Sequence, residues 1–75
     1  GNPRDKGLIY YLMAVIKYRL LTGSLQEADF EDLLNQDFES YYETAKSQLN
    51  PYRDRHQLKE LENLRQGLSQ ALNTK

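Results

Sequence analysis

The chain has no cysteine, no tryptophan, one histidine, one methionine and two prolines in 75 residues. Without cysteine it has no disulfide and no thiolate metal site. His56 alone cannot build a histidine zinc centre, which takes several such ligands. A single core is marginal at this length, so burial against a partner is the remaining route to extra stability. Long apolar runs are also missing. The longest extends from Leu8 to Ile16 and closes at Lys17 and Arg19, whereas a membrane span needs ~20 such residues. The only methionine is Met13, and Gly1 reads as the scar of tag removal. A processed chain or one domain cut from a longer protein is expected, with residues 1–75 forming a single helical unit.

The same shortages bear on chemistry. A catalytic nucleophile needs an adjacent base, and His56 sits among Arg53, Arg55 and Lys59 with no cysteine to activate. The acids Glu27, Asp29, Glu31 and Asp32 have the composition of a cation site. They lack the glycine-centred EF-hand spacing and the Glu-x-x-His pair of a di-iron bundle. No enzyme activity, metal or cofactor is therefore expected.

What the chain does have is punctuation. Asn2-Pro3, Gly23-Ser24 and Asn50-Pro51 divide it into three pieces, each with an apolar pattern of helical period. Proline tolerates the first helical position because its missing N–H would be unpaired there. Asparagine before it can accept from the next free N–H groups. The first helix is expected from Pro3 to about Leu21, with Gly23 as its stop. In the second, Ser24 and Glu27 have capping-box spacing, and Phe30, Leu34, Phe38, Tyr41, Ala45 and Leu49 hold one apolar phase. One helix from Leu25 to Leu49 is expected, or a break at residues 35–37 with Asp37 as a new cap, which would give four helices. The third should begin at Pro51, with Leu58, Leu61, Leu64, Leu68 and Leu72 in a stripe and Gly67 either permitting a close helix approach or merely tolerated in mid-helix. Connections this short predict antiparallel neighbours and an all-α three-helix bundle.

The first helix is unusual in being apolar around most of its circumference. Such a helix needs burial on most sides, more than two short neighbours can provide. It is expected to be the main buried element, with Leu12 and Ile16 in its core, and the chain is expected to self-associate or to dock on the rest of a larger protein. Tyrosine is common where an interface is part apolar and part wet, and here six tyrosines outnumber two phenylalanines. In each doublet, Tyr10-Tyr11 and Tyr41-Tyr42, one ring can face inward while its neighbour points sideways. The candidate protein interface is accordingly Ile9, Tyr10, Tyr11, Met13, Tyr18, Tyr41 and Tyr42.

Charge is unevenly spread. Residues 1–23 are net basic, residues 24–49 strongly acidic and residues 50–75 mildly basic, although the whole chain carries −1. The sequence therefore indicates a non-enzymatic protein-interaction or oligomerisation domain. The alternative is a nucleic-acid-binding regulator that contacts phosphate through Arg53, Arg55 and Lys59 at the start of the third helix. Asp54, Glu60 and Glu62 interrupt that patch.

Overall fold

A computed structural model describes residues 2–25 and 34–73. Three helices are present in it: α1, Pro3–Leu21; α2, Phe38–Gln48; and α3, Arg55–Asn73. They pack as an all-α bundle. The N-terminal part of α1 lies against the end of α2, where Gly7 meets Gln48 and Leu49. Further along, Lys17 reaches back to Leu34, so α1 and α2 run antiparallel. Tyr42 and Glu62 meet across α2 and α3, as do Glu39 and Arg65, which is also an antiparallel register.

The expected ends of α1 are both formed. The Asn2 side chain accepts from Arg4 N–H at 2.9 Å ahead of Pro3. At the other end Ser24 N–H donates to Arg19 C=O at 2.7 Å and Gly23 N–H to Leu20 C=O at 3.3 Å. This paired closure needs a residue in the left-handed region, and Gly23 occupies it at φ 82°.

The second helix departs from the continuous Leu25–Leu49 element that the apolar phase predicts. It starts only at Phe38, and the alternative cap is the one used: Asp37 accepts from Ser40 N–H at 2.8 Å. Leu34 is buried, as the phase requires, but from a non-helical segment. The backbone groups that helix would have paired are taken up by side chains. Gln36 N–H donates to the Tyr41 hydroxyl at 3.0 Å, and the Lys17 ammonium donates to Leu34 C=O at 3.3 Å. Side-chain bonds have replaced helical ones, one from within α2 and one from α1. The Ser24–Glu27 capping box, Phe30 and the acidic cluster Glu27, Asp29, Glu31 and Asp32 lie wholly or partly outside the described residues.

The third helix is also shorter than expected at its start. Asn50 does act as a cap, accepting from Tyr52 and Arg53 N–H at 2.8 and 2.9 Å. It closes a single turn, residues 51–54, and regular helix follows from Arg55. Of the leucine stripe, Leu61 and Leu68 are buried, Leu58 and Leu64 pack against the core, and Leu72 is exposed.

The core belongs mainly to α2 and its flanks, which bury Leu34, Phe38, Tyr41, Tyr42, Ala45 and Leu49. This corrects the expectation that α1 is the main buried element. Only Gly7 and Ala14 of α1 are fully buried. They are seven residues apart and fall on one side of the helix, where their small size lets α2 approach closely. A β-carbon at Gly7 would lie 2.8 Å from Leu49 Cδ2 and 3.0 Å from Cγ. At Gly67 it would lie 3.2 Å from the Tyr18 hydroxyl, so that glycine does mark the close approach of α3 to α1.

The turn at residues 51–54 positions Asp54, whose side chain is fully buried. Its carboxylate accepts from Asn50 N–H at 2.9 Å, from Arg4 Nε at 2.9 Å and from Arg53 Nη2 at 3.3 Å. A buried carboxylate is tolerated only when paired and hydrogen-bonded. Here the Asn50 N–H and then the two guanidiniums hold it at about 2, below the usual 3.8.

This packing has two measurable consequences. A helical glycine replaced by alanine ordinarily gains ~1 kcal/mol, but Gly7→Ala drives a methyl into Leu49, and overpacking costs ~1–3 kcal/mol. Thermal melting of Gly7→Ala should therefore occur below the wild-type temperature, and an unchanged or higher value would show that Leu49 yields freely. For Asp54 the depressed value means that its contribution is complete above about 4, the unfolded range, and is lost as pH falls towards about 2. Asp54→Asn keeps an acceptor for Asn50 but not the charge. It should lower the melting temperature at neutral pH, with the gap from wild type closing between about pH 4 and about pH 2. A gap that stays constant across that window would contradict the charge as its source.

Candidate interaction surface

The side chains singled out as a protein interface fall into three groups. Tyr41 and Tyr42 are buried, so neither member of that doublet points sideways as expected. Tyr41 is enclosed because its hydroxyl bonds the Gln36 backbone and its ring lies 6.0 Å from that of Tyr10. Tyr42 is enclosed by α3: its hydroxyl donates to Glu62 at 2.6 Å, and Lys46 and Arg65 stand over its ring at 5.5 and 5.2 Å. That hydrogen bond raises the Tyr42 phenol and lowers the Glu62 carboxyl from their ordinary values, with burial adding to the first and opposing the second. Arg65 completes the group through Glu39 at 3.2 Å.

Tyr10, Tyr11, Met13 and Tyr18 are half-buried and pack against the core. The Tyr10-Tyr11 doublet straddles the seam of α1. Tyr10 meets Tyr41 on α2, whereas Tyr11 faces Glu60 on α3, and burial together with that carboxylate raises its phenol. These tyrosines tie α1 to its own neighbours. Ile9 alone of the seven is well exposed, at 55 %.

Leu12 is exposed to the same degree, although the sequence led to its placement in the core. The reason lies in the seam. At 100° per residue, Gly7 and Ala14 define the side of α1 turned towards α2. Ile9 and Leu12 then fall on the opposite side, while Ile16, at the margin of that face, is half-buried and packs against the core as expected. The small residues have taken the centre of the inside face, Leu8, Met13, Ile16 and Leu20 pack at its sides, and Ile9 and Leu12 are left outside. The seven-residue spacing of Gly7 and Ala14 was the available signal, but apolar size alone pointed the other way.

Asp5 and Arg19 continue the outer face at its two ends, and both are exposed. The strip therefore reads Asp5, Ile9, Leu12, Ile16, Arg19, with alternating steps of four and three residues. That is the repeat of a helix that packs on another helix. The other charges of α1 lie elsewhere: Arg4 is held by Asp54, Lys17 by the Leu34 carbonyl, and Lys6 is rotated one residue away.

The basic residues of the alternative site are on a different part of the molecule. Arg55 and Lys59 are exposed one turn apart on α3, and Arg53 is exposed in the preceding turn. Arg53 is partly committed, since it pairs with Asp54. Tyr52 projects beside them. Among the described residues no three histidine, aspartate or glutamate side chains converge in a way that could hold a metal ion, and no helix is long and apolar enough to cross a membrane.

The chain matches no family model, no curated protein and no solved structure.

Proposed function

We propose that this chain is a non-enzymatic protein-association domain that works through the outer face of α1. The observation that carries this reading is a pair of large aliphatic side chains left on the outside of that helix. Gly7 and Ala14 face the core, while Ile9 and Leu12 are each 55 % exposed. A helix held by one side ordinarily turns its large aliphatic residues inward. Contiguous exposed apolar side chains flanked by charge favour a protein partner over solvent. Binding there requires no rearrangement of the core, because the helices are already held together by Tyr10, Tyr11 and Tyr18 on the other side.

The second reading, a nucleic-acid-binding regulator, draws on Tyr52 at 88 % exposure beside Arg53, Arg55 and Lys59. An exposed ring among cations suits stacking on a base. It ranks lower because Asp54 engages Arg53 and the chain is net −1, which leaves few free phosphate contacts.

The test is Leu12→Asp. Since Leu12 faces outward, this variant should keep the wild-type circular dichroism and melt within a few degrees of it. Burial of a leucine contributes ~1.5–3 kcal/mol, so association measured by sedimentation should weaken at least about tenfold. Loss of the fold would return Leu12 to the core, and an unchanged mass distribution would remove this face from the interface.

A further inference from the structure

We infer that the partner of α1 is α1 of a second copy, packed antiparallel about a two-fold axis at Leu12. The inference rests on the association reading above and adds the identity and direction of the partner. It follows from where the strip places its charge. Leu12 is seven residues from Asp5 on one side and seven from Arg19 on the other. Two copies related by a two-fold axis through Leu12 therefore bring Asp5 of each level with Arg19 of the other. Ile9 of each copy fills the space between, with the half-buried Ile16 at the margin of the contact, and the helix dipoles oppose one another favourably. Neither Asp5 nor Arg19 has an ion-pair partner among the described residues. A parallel pairing would set Asp5 against Asp5 and Arg19 against Arg19, two repulsions where the antiparallel arrangement has two attractions. The surface is thus complementary to itself in one direction only, as an isologous contact requires. The contact involves one helix of ~28 Å. It belongs with small, transient interfaces, and the dimer forms in the micromolar to millimolar range.

Exchanging the two charges tests both partner and direction. Asp5→Arg alone and Arg19→Asp alone each turn two attractive pairs into two repulsive ones, and each should weaken self-association about tenfold. An equimolar mixture of the two single variants should associate as well as wild type. In the mixed dimer the introduced arginine of one chain meets the introduced aspartate of the other, and the retained Arg19 of the first meets the retained Asp5 of the second. The doubly exchanged chain, Asp5→Arg with Arg19→Asp, should also recover. All substituted positions are exposed, and circular dichroism confirms the fold of each variant. Sedimentation equilibrium provides the readout. A wild-type chain that stays monomeric up to millimolar concentration overturns self-pairing. Self-association that Leu12→Asp abolishes but the single exchanges leave intact, or that the mixture fails to restore, overturns the antiparallel register. The outer face of α1 would then stand as the interface with a different geometry.

Discussion

Arg4 and Asp54 are fifty residues apart in the chain and 2.9 Å apart in space. Asp54 is buried and accepts from three directions: the backbone of Asn50, Arg4 at the start of α1, and its neighbour Arg53. One carboxylate thus joins the first turn of α1 to the turn that reverses the chain between α2 and α3. The position of α1 depends on this clasp. It anchors the N-terminal end, Gly7 then allows α1 to lie close to Leu49, and the helix continues along α2 until Lys17 reaches the carbonyl of Leu34. The rotation of α1 that leaves Ile9 and Leu12 outside is set by these contacts at its two ends and by the small residues between them. Removal of Arg4 would take one of the compensating partners from a carboxylate that is itself fully buried, which is costly because a buried charge needs its partners.

Tyrosine supplies the rest of the specificity. In a core this small, phenylalanine at positions 41 and 42 would fill similar volume but leave polar neighbours unpaired. The Tyr41 hydroxyl satisfies Gln36 N–H, which has no helical partner, and the Tyr42 hydroxyl satisfies Glu62 on the facing helix. No buried side-chain nitrogen or oxygen among the described residues lacks a partner. Each of these bonds joins two different segments, so they fix how the segments sit as well as adding to stability. The abundance of tyrosine therefore has a largely internal explanation, with Tyr10, Tyr11 and Tyr18 half-buried and only Tyr52 fully exposed.

Much of the architecture could be read from capping residues. Asn2, Gly23 and Asn50 act where the sequence places them, because caps satisfy local backbone groups and local groups lie close in sequence. What escaped was decided by tertiary side-chain contacts, most of them between residues distant in sequence. The non-helical stretch before Phe38 keeps the apolar phase of a helix, since Leu34 is buried either way, and only the Tyr41 and Lys17 bonds reveal the change. Asp54 looked like an interruption of a basic patch, and its burial depends on Arg4 from the far end of the chain. The exposed face of α1 was misjudged for a related reason. Side-chain size suggested which face of α1 would be buried, whereas the small residues Gly7 and Ala14 determine it.

The proposed association, through one surface and in one direction, can be tested directly with a single probe. The chain has no cysteine, so Thr22→Cys offers a unique, exposed attachment point for a nitroxide just beyond α1. Mixing this labelled chain with an isotopically labelled, nitroxide-free copy restricts paramagnetic broadening to contacts between molecules. Antiparallel pairing through the outer face predicts broadening of the amides of Arg4, Asp5 and Lys6, with those of Leu20 and Leu21 spared. Broadening centred on Leu20 and Leu21, or none on α1 at concentrations where the chain associates, would contradict it.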